Sequence, residues 1–589
     1  MSDAIKRAEE FLSREHAFRL GQLLTESSHP KTKVLSQTAK DDLPAAIRLL
    51  QSVDDDIPPA MEKVLQQDSF QELIEAFIEA MKNDKRIFFT GCGATGRLSI
   101  LLEAAWRRFW QNSKQRFSEK VPDMKDRVFS VMAGGDFALI KSVEGYEDFP
   151  DFGRHQMKEH NVQPGDVVVA ITEGGETPFV IGTAWEGLDA GARVFFIYNN
   201  PTELLSRHVK RSCEIIEEPL ITKLDLTTGP MAITGSTRMQ ATTAELFVVG
   251  SALEIALVRL LKDKLSQEQM LKLGLNELEP ACYLRLLSEL MEQLSSPQVV
   301  DTLARATRFE EDIYRSGGLV TYMADSLLLD VLTDTTERSP TFMLPAFRKY
   351  GDDLSPNSWA FVKDPFRTTE EAWHALLQRE PRGLNWQRRI YEQLKAPAAL
   401  KSQPPKLDNS EIYKFMIGNE PDPSRTDAPD SALVVITAEG ETDILTQTAL
   451  QKFGPQYKKT AALVIGLTDV APSSDEIFQF PCSLTDSPLQ LWHHLAVKLI
   501  LNTLSTATMV RMDRVIGNAM VWLSPSNKKL IDRGSRLIAQ QMDCSYEQAC
   551  ITLHEAIEEV EAGQRQSKEV PSPVALAIER LRDKKEKSR

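Results

Sequence analysis

A chain of 589 residues is long enough for about four domains of ordinary size, or for two large domains with helical additions. Apolar residues make up 42% of the chain and charged residues 26%, and 29 glycines and 31 prolines are too few for a collagen-like or wholly disordered protein. The 84 acidic residues exceed the 69 basic ones, and the net charge of −15 excludes an overall field that attracts nucleic acid or an anionic membrane surface. An anionic ligand must therefore be held by local groups.

The spacing of cysteines and histidines indicates no metal centre. Six cysteines are spread without a C-x-x-C pair, and the histidines lack metal-ligand spacing, so we expect neither a zinc cluster nor a disulfide framework. The sequence likewise predicts no cofactor. The amino-terminal segment is charged, and nowhere do about 18 apolar residues run together, so we expect no export signal, no membrane span and a cytoplasmic location.

In chain order, a helical arm comes first and an alternation of strands and helices follows. Apolar positions at helical spacing, punctuated by prolines, fill most of residues 1–60. Apolar runs that predict strands then alternate with helical segments, an order typical of a parallel sheet covered by helices. The predicted strands are residues 86–90, 127–133, 166–172 and 193–198, with 213–217 as a candidate fifth strand.

The strand, turn and helix at residues 167–184 occur a second time at 432–449. The two segments align without gaps, and Gly175-Glu176-Thr177 falls on Gly440-Glu441-Thr442. Residues 317–322 are a candidate copy of the first strand. We therefore predict an α/β protein with two related domains, although chance similarity is the alternative. The predicted segments are a helical arm (1–60), a first domain (61–265), a helical connector (266–305), a second domain (306–500) and a helical lid with tail (501–589).

Three turns rich in glycine, serine and threonine are candidate anion sites. Residues 91–96 read G-x-G-x-x-G between a strand and a helix, where backbone N–H groups and the helix dipole favour a phosphate. A dinucleotide is disfavoured, because no acidic residue ends the next strand at the usual distance. Residues 172–178 predict a helix that begins with Thr177 as N-cap, and residues 234–238 add more hydroxyls. Tight packing and ordinary helix caps are the alternative explanations.

Five motifs resemble one branch of a known family. They are 25–32 (TESSHPKT), 143–148 (VEGYED), 229–239 (GPMAITGSTRM), 501–506 (LNTLST) and 517–530, which begins GN and ends SNKKL. Together with the doubled domain, they are similar to the sugar isomerase (SIS) family, specifically its N-acetylmuramic acid 6-phosphate etherase and glucokinase regulatory protein branch. The two domains and helical lid in one chain resemble the regulator more than the shorter, single-domain etherases.

The resemblance implies two tandem SIS domains and a phosphorylated sugar as ligand, of the hexose 6-phosphate or N-acetylmuramic acid 6-phosphate type. It also makes a sugar kinase a candidate partner. The ligand-binding residues that it implies are Gly93, Thr95, Gly96, Thr172, Gly174, Thr177, Ser236, Thr237 and Lys529.

The catalytic residues of the etherases are only partly present. Etherase chemistry needs two carboxylates to remove and return protons. One family glutamate falls on Glu147, but the other falls on Ala105. Glu103 is the candidate substitute, yet a shift of two residues turns a side chain by about 200° around a helix. Glu173 and Glu176 add negative charge to the second turn, where the etherases have no carboxylates.

Three functional classes remain open. The first and favoured one is a sugar-phosphate-responsive regulator with no catalysis or weak catalysis, supported by the doubled fold and Ala105. The second is an enzyme, either an active etherase, which is a carbon–oxygen lyase, or another lyase or isomerase, that uses Glu147 with a substitute partner such as Glu103. The third is a scaffold whose pockets have decayed, supported only by Glu173 and Glu176.

Overall fold

The computed structural model describes residues 3–113, 121, 123–143, 145–468, 472–563 and 570–587. Five helices precede the first strand, and local sequence explains where they begin. The side chain of Asp42 accepts a hydrogen bond from the backbone N–H of Ala45, with Pro44 in the first turn of the helix. These helices are α1 (Asp3–Arg14), α2 (Leu35–Asp41), α3 (Leu43–Asp54), α4 (Ile57–Leu65) and α5 (Asp68–Lys82).

A five-stranded parallel sheet follows the arm, with helices on its faces. Its elements are β1 (Ile87–Gly91), α6 (Ala94–Ser113), β2 (Val128–Met132), α7 (Pro150–Glu159), β3 (Val167–Thr172), α8 (Pro178–Asp189), β4 (Arg193–Tyr198), α9 (Thr202–His208), α10 (Lys210–Glu217), β5 (Ile221–Asp225) and α11 (Gln240–Leu261). The strand order is β2-β1-β3-β4-β5. The candidate strand at 213–217 is wrong, because these residues belong to α10, whose apolar positions have helical spacing, and the fifth strand is β5.

Three helices lead to a second parallel sheet. They are α12 (Gln267–Lys272), α13 (Pro280–Leu294) and α14 (Pro297–Arg315). The second unit contains β6 (Val320–Met323), α15 (Leu328–Phe342), β7 (Ala360–Lys363), α16 (Thr369–Leu377), α17 (Arg388–Gln393), α18 (Ala398–Ser402), α19 (Asn409–Ile412), α20 (Pro423–Thr426), β8 (Ala432–Ala438), α21 (Thr442–Thr446), β9 (Lys459–Ile465), β10 (Glu476–Phe480) and α22 (Leu491–Arg511). Its strand order is β7-β6-β8-β9-β10.

The two sheets confirm the prediction of a duplicated α/β fold. β3 and β8, which carry the aligned segments, hold the same central place in the two orders. β6 lies where β1 lies in the first sheet, as the candidate copy of the first strand requires. The division into five segments stays a prediction, and its boundaries after residues 60, 305 and 500 fall inside α4, α14 and α22. The helical periodicity runs through these positions, so the nearest breaks are at helix ends.

The two ends of the chain pack together beside the first sheet. A short hairpin, β11 (Val515–Ile516) and β12 (Ala519–Met520), precedes α23 (Lys528–Met542), α24 (Tyr546–Gly563) and α25 (Pro573–Lys587). Helix α1 packs on α24, while Glu26 of the arm is ion-paired with Arg533 and Arg536 of α23. We call α23 the lid helix. No helix among the described residues combines the length and the hydropathy of a membrane span.

Candidate functional site

A cavity of about 240 Å³ lies at the carboxyl ends of β1 and β3. Four parts of the chain line it: the turns of the first sheet, the loop after β2, helix α15 of the second unit and the lid helix. Of the predicted site residues, the cavity brings together Gly93, Glu147, Thr177, Ser236, Thr237 and Lys529. The site is therefore assembled from both units and from segments more than 400 residues apart, since 529 − 93 = 436.

The first turn presents backbone to the cavity. Gly93 has a φ of +58° and lines the cavity at the start of α6, with no atom within 4 Å of the position that a Cβ would take. Thr95 closes the turn instead, because its Oγ1 accepts from the N–H of Cys92 at 3.0 Å and donates to the same residue's carbonyl at 2.9 Å. At Gly96 a Cβ would lie 2.5 Å from Cγ of Met132. Thr95 and Gly96 thus shape the turn without lining the cavity.

In the second turn, as in the first, some predicted residues line the cavity and others only support the shape of the turn. Thr177 lines the cavity and is the N-cap residue of α8, as predicted, but its hydroxyl pairs with that of Thr172 at 3.0 Å instead of capping the helix. Thr172 is fully buried, and the carbonyl of Gly174 accepts from the side chain of Asn200. These two residues support the turn. Glu173 lines the cavity, and burial raises its pKa to about 7.

The third turn holds a hydroxyl without a partner. Oγ of Ser236 is buried and has no hydrogen-bond partner among the described residues, although it belongs to a residue that lines the cavity. An unpaired buried hydroxyl costs free energy, and a ligand oxygen would remove that cost. Gly235 lets the lid helix approach, because a Cβ there would lie 2.5 Å from Nε of Arg533.

Two cations of the lid helix face the cavity. Nζ of Lys529 lies 2.7 Å from Oε1 of Glu176, which also pairs with Arg211 at 2.6 Å. Burial would raise the pKa of Glu176, but Lys529 and Arg211 lower it. Glu176 therefore remains ionised and is neutralised beside the cavity instead of lining it. Arg533, one helical turn after Lys529, lines the cavity and is fixed by Glu26.

Glu147 is placed to take part in chemistry. Its carboxylate lines the cavity and accepts hydrogen bonds from the side-chain amide of Asn527 and, at 3.5 Å, from the thiol of Cys92. Burial, and then the nearby Glu147, raise the pKa of Cys92 well above its usual value, so the thiol stays protonated. Glu147 thus has fixed donors on its oxygens and an open side toward the cavity.

The structure corrects the prediction for Glu103. Its side chain is fully buried and does not line the cavity. Its two oxygens accept from Arg107, Arg379 and Arg382 and from Ser130. Burial would raise the pKa of Glu103, but these arginines hold it below its usual range. A carboxylate locked in this way cannot exchange protons with a ligand in the cavity.

Sequence reasoning missed Arg97, Arg533 and Glu337, which also line the cavity. Arg533 could have been found, since it follows the predicted Lys529 by four residues on one helix and so shares its face. Arg97 directly follows the first glycine-rich motif. Glu337 carries no local signal, because it reaches the cavity from α15 of the second unit.

Comparison with known proteins decides the family. The family model for the glucokinase regulatory protein N-terminal SIS domain matches residues 69–186. An N-acetylmuramic acid 6-phosphate etherase of Clostridium acetobutylicum is 30% identical over 241 residues, which are 41% of this chain and 71% of that protein. The chain belongs to the SIS family. Within it, this SIS protein falls in the branch that holds the etherases and glucokinase regulatory protein.

A second etherase relative agrees with that placement. The N-acetylmuramic acid 6-phosphate etherase of Salinibacter ruber is 30% identical over 245 residues, covering 41% of this chain and 69% of that protein. Among solved structures, the C-terminal domain of glucosamine-fructose-6-phosphate aminotransferase from Francisella tularensis has a TM-score of 0.42 at 12% identity, covering 78% of this SIS protein and 96% of that chain.

Proposed function

We propose that this protein binds a sugar phosphate in the cavity and acts as a ligand-responsive regulator. The observation that carries the proposal is the convergence of Gly93, Thr177 and the unpartnered Ser236 with the cations Lys529 and Arg533. Backbone N–H groups at a helix start, hydroxyls and ammonium or guanidinium groups are the donors that bind phosphate esters. The etherase relatives are named for a phosphorylated sugar, which supports the same ligand class.

The lid helix gives ligand binding a route to the surface. Lys529 is held by Glu176 and Arg533 by Glu26, so the phosphate of a bound sugar competes with these carboxylates for the same cations. A change at Arg533 is passed to the arm through Glu26, and the arm packs on the outer helices. Occupancy of the cavity thereby alters a surface that a protein partner can recognise. A sugar kinase is the candidate partner that the glucokinase regulatory protein match supports.

Isothermal titration with fructose 6-phosphate and with N-acetylmuramic acid 6-phosphate tests binding. We expect a dissociation constant below 1 mM for at least one of them, which is a binding free energy of about −4 kcal/mol or stronger. The absence of heat from both ligands at millimolar concentration would refute the proposal. For the regulatory part, the rate of a glucokinase is measured with this protein, with and without the ligand that binds, and an unchanged rate in both mixtures contradicts a kinase partner.

An etherase activity is the second candidate function. The position of Glu147 in the cavity, with donors on its carboxylate, favours it. Because Glu103 is locked outside the cavity, the pair Glu147 and Glu103 cannot carry the reaction. Activity would need a second proton-transfer group from elsewhere in the chain.

A further inference from the structure

We propose that Glu337, on helix α15 of the second unit, is the proton-transfer partner of Glu147 for a sugar phosphate bound in the cavity. The proposal rests on the proposed binding function and supplies the group that an etherase activity lacks. It makes the site a shared one, in which the first sheet binds the phosphate and each unit contributes one carboxylate.

Geometry is the first argument for Glu337. It lines the same cavity as Glu147 but from a different wall, because α15 belongs to the second unit and Glu147 follows β2 of the first. An elimination needs a base at one carbon and an acid at the oxygen that leaves the neighbouring carbon, so two carboxyl groups on separate walls suit it. Pro340 and Thr341, one turn further along α15, also line the cavity and extend this wall.

The hydrogen bonding of Glu337 is the second argument. Its side chain is 5% exposed, yet Oε2 has no hydrogen-bond partner among the described residues. Nη1 of Arg238 lies 3.9 Å from this oxygen, and the same guanidinium nitrogen is 3.0 Å from Asp334. A buried carboxyl without donors is costly in its ionised form. Burial accordingly raises its pKa, against the lowering effect of Arg97, Lys498 and Arg238.

The contrast with Glu103 is the third argument. Glu103 on α6 and Glu337 on α15 lie on helices that follow equivalent strands, β1 and β6, of the two sheets. Glu103 accepts hydrogen bonds from three arginines, whereas Oε2 of Glu337 accepts none, with Arg238 3.9 Å away, and Glu337 lines the cavity. The proton-transfer group that the first unit lacks is thus available from the second.

The reaction can be written with all atoms balanced. Glu147 removes the proton from the carbon next to the aldehyde of the open-chain sugar, and the bond between the adjacent carbon and the ether oxygen breaks. The leaving oxygen takes its electron pair and the proton of Glu337, which releases a hydroxy acid and an unsaturated sugar phosphate. Water then adds to the double bond, giving its proton to Glu337 while Glu147 returns a proton to the first carbon. Both groups regain their starting states.

The test measures D-lactate release and binding of N-acetylmuramic acid 6-phosphate on the same preparations. We expect release by the unaltered protein, and a kcat at least 100-fold lower in Glu337→Gln and in Glu147→Gln, since positioned acids and bases contribute roughly 10²–10⁴-fold. The dissociation constant should change less than about threefold in Glu337→Gln, because an isosteric amide keeps the shape of the wall. Glu337→Asp should recover part of the rate.

Asp54→Asn is the matched control. Asp54 is also buried, its pKa is raised by burial to about 7, and it pairs with Gln240 away from the cavity. Its replacement should leave lactate release unchanged. Normal turnover in Glu337→Gln overturns the assignment. Loss of turnover in Glu173→Gln, while Glu337→Gln remains active, also overturns it. Binding without any release by the unaltered protein also overturns it and leaves the proposed binding function standing, whereas no binding at all refutes the binding function itself.

Discussion

The carboxyl ends of the two sheets can be compared turn by turn, since β1, β2 and β3 have equivalents in β6, β7 and β8. In the first sheet, turns of glycine and hydroxyl residues surround a cavity. In the second, side chains close the same region: Nη1 of Arg367 donates to Asp325 at 2.7 Å and to Asp364 at 2.8 Å, and Ser326 donates to Glu441 at 2.6 Å. One topology therefore supports a cavity in one copy and an ion-pair cluster in the other.

The comparison shows that duplication of the fold does not duplicate the site. Strand order and register repeat, but the composition of the turns decides what each sheet edge binds. Carboxylates and Arg367 occupy the second edge, whereas the first edge combines glycine and hydroxyl donors with cations of the lid helix, which offset the carboxyl groups that also line the cavity. The second unit contributes instead through α15, which closes the cavity of the first.

The lid helix lies at the carboxyl edge of the first sheet. Breaking its attachment to the arm is the change with the largest expected effect, and the effect is on stability. Glu26 is 2% exposed at its side chain and is held by Arg533 and Arg536. We expect Glu26→Gln to lower the free energy of unfolding by about 3–5 kcal/mol, because it leaves buried guanidinium charge unpaired. Chemical denaturation measures this change in the free energy of unfolding. Glu268→Gln, in an exposed pair with Lys272, should cost less than about 1 kcal/mol, and equal losses in both variants would contradict the role of burial.

The same carboxylate predicts a dependence of stability on pH. Burial would raise the pKa of Glu26, but Arg533 and Arg536 lower it from 4.5 to about 2. A lowered pKa in the folded state stabilises the fold above about pH 4.5, and this contribution of roughly 3 kcal/mol disappears as the pH falls toward 2. Denaturation curves at several pH values should show a shallower acid decline in Glu26→Gln than in the unaltered protein. Parallel declines would contradict the assignment.

Removing one cation from each edge tests the comparison directly. Lys529→Met should weaken sugar-phosphate binding about 10- to 100-fold, because a charge-assisted hydrogen bond contributes about 1.5–3 kcal/mol. Arg367→Met removes the cation of the second edge and should leave that affinity unchanged, while it lowers stability by leaving Asp364 unpaired. Titration calorimetry measures both variants. Equal losses of affinity would show that the second edge belongs to the site.

The smallest expected effect concerns Glu173, one of the carboxyl groups that line the cavity at the first edge. Burial raises its pKa to about 7, so its ionised fraction increases between pH 6 and pH 8. Affinity should therefore fall several-fold over this range as the new charge repels the ligand. A sugar sulfate is the appropriate probe, since its charge does not change with pH. Glu173→Gln should abolish the decline, and an unchanged decline would assign it to another group, such as the nearby Asp148.

The sequence predicts the fold better than the site. The spacing of the apolar residues, the glycine turns and the internal repeat were sufficient to predict two parallel sheets, because these signals are local or nearly so. They failed at residues 213–217, where a short apolar run does not distinguish a strand from a helix. Of the predicted ligand residues, five line one cavity, while Thr95, Gly96, Thr172 and Gly174 shape the turns, and their roles in binding stay predictions. Glu337 could not be predicted, because only the packing of one unit on the other brings it there.

The pairing of Glu26 with Arg533 has a consequence for how the protein becomes functional during synthesis. The two partners are 507 positions apart, and the arm is synthesised before the first sheet, whereas the lid helix is synthesised after the second. The first sheet can form long before its binding site is complete. A chain that still lacks the lid helix therefore exposes the carboxyl edge of that sheet without the cations that hold a phosphate, and it becomes able to bind a phosphate only once α23 has been made.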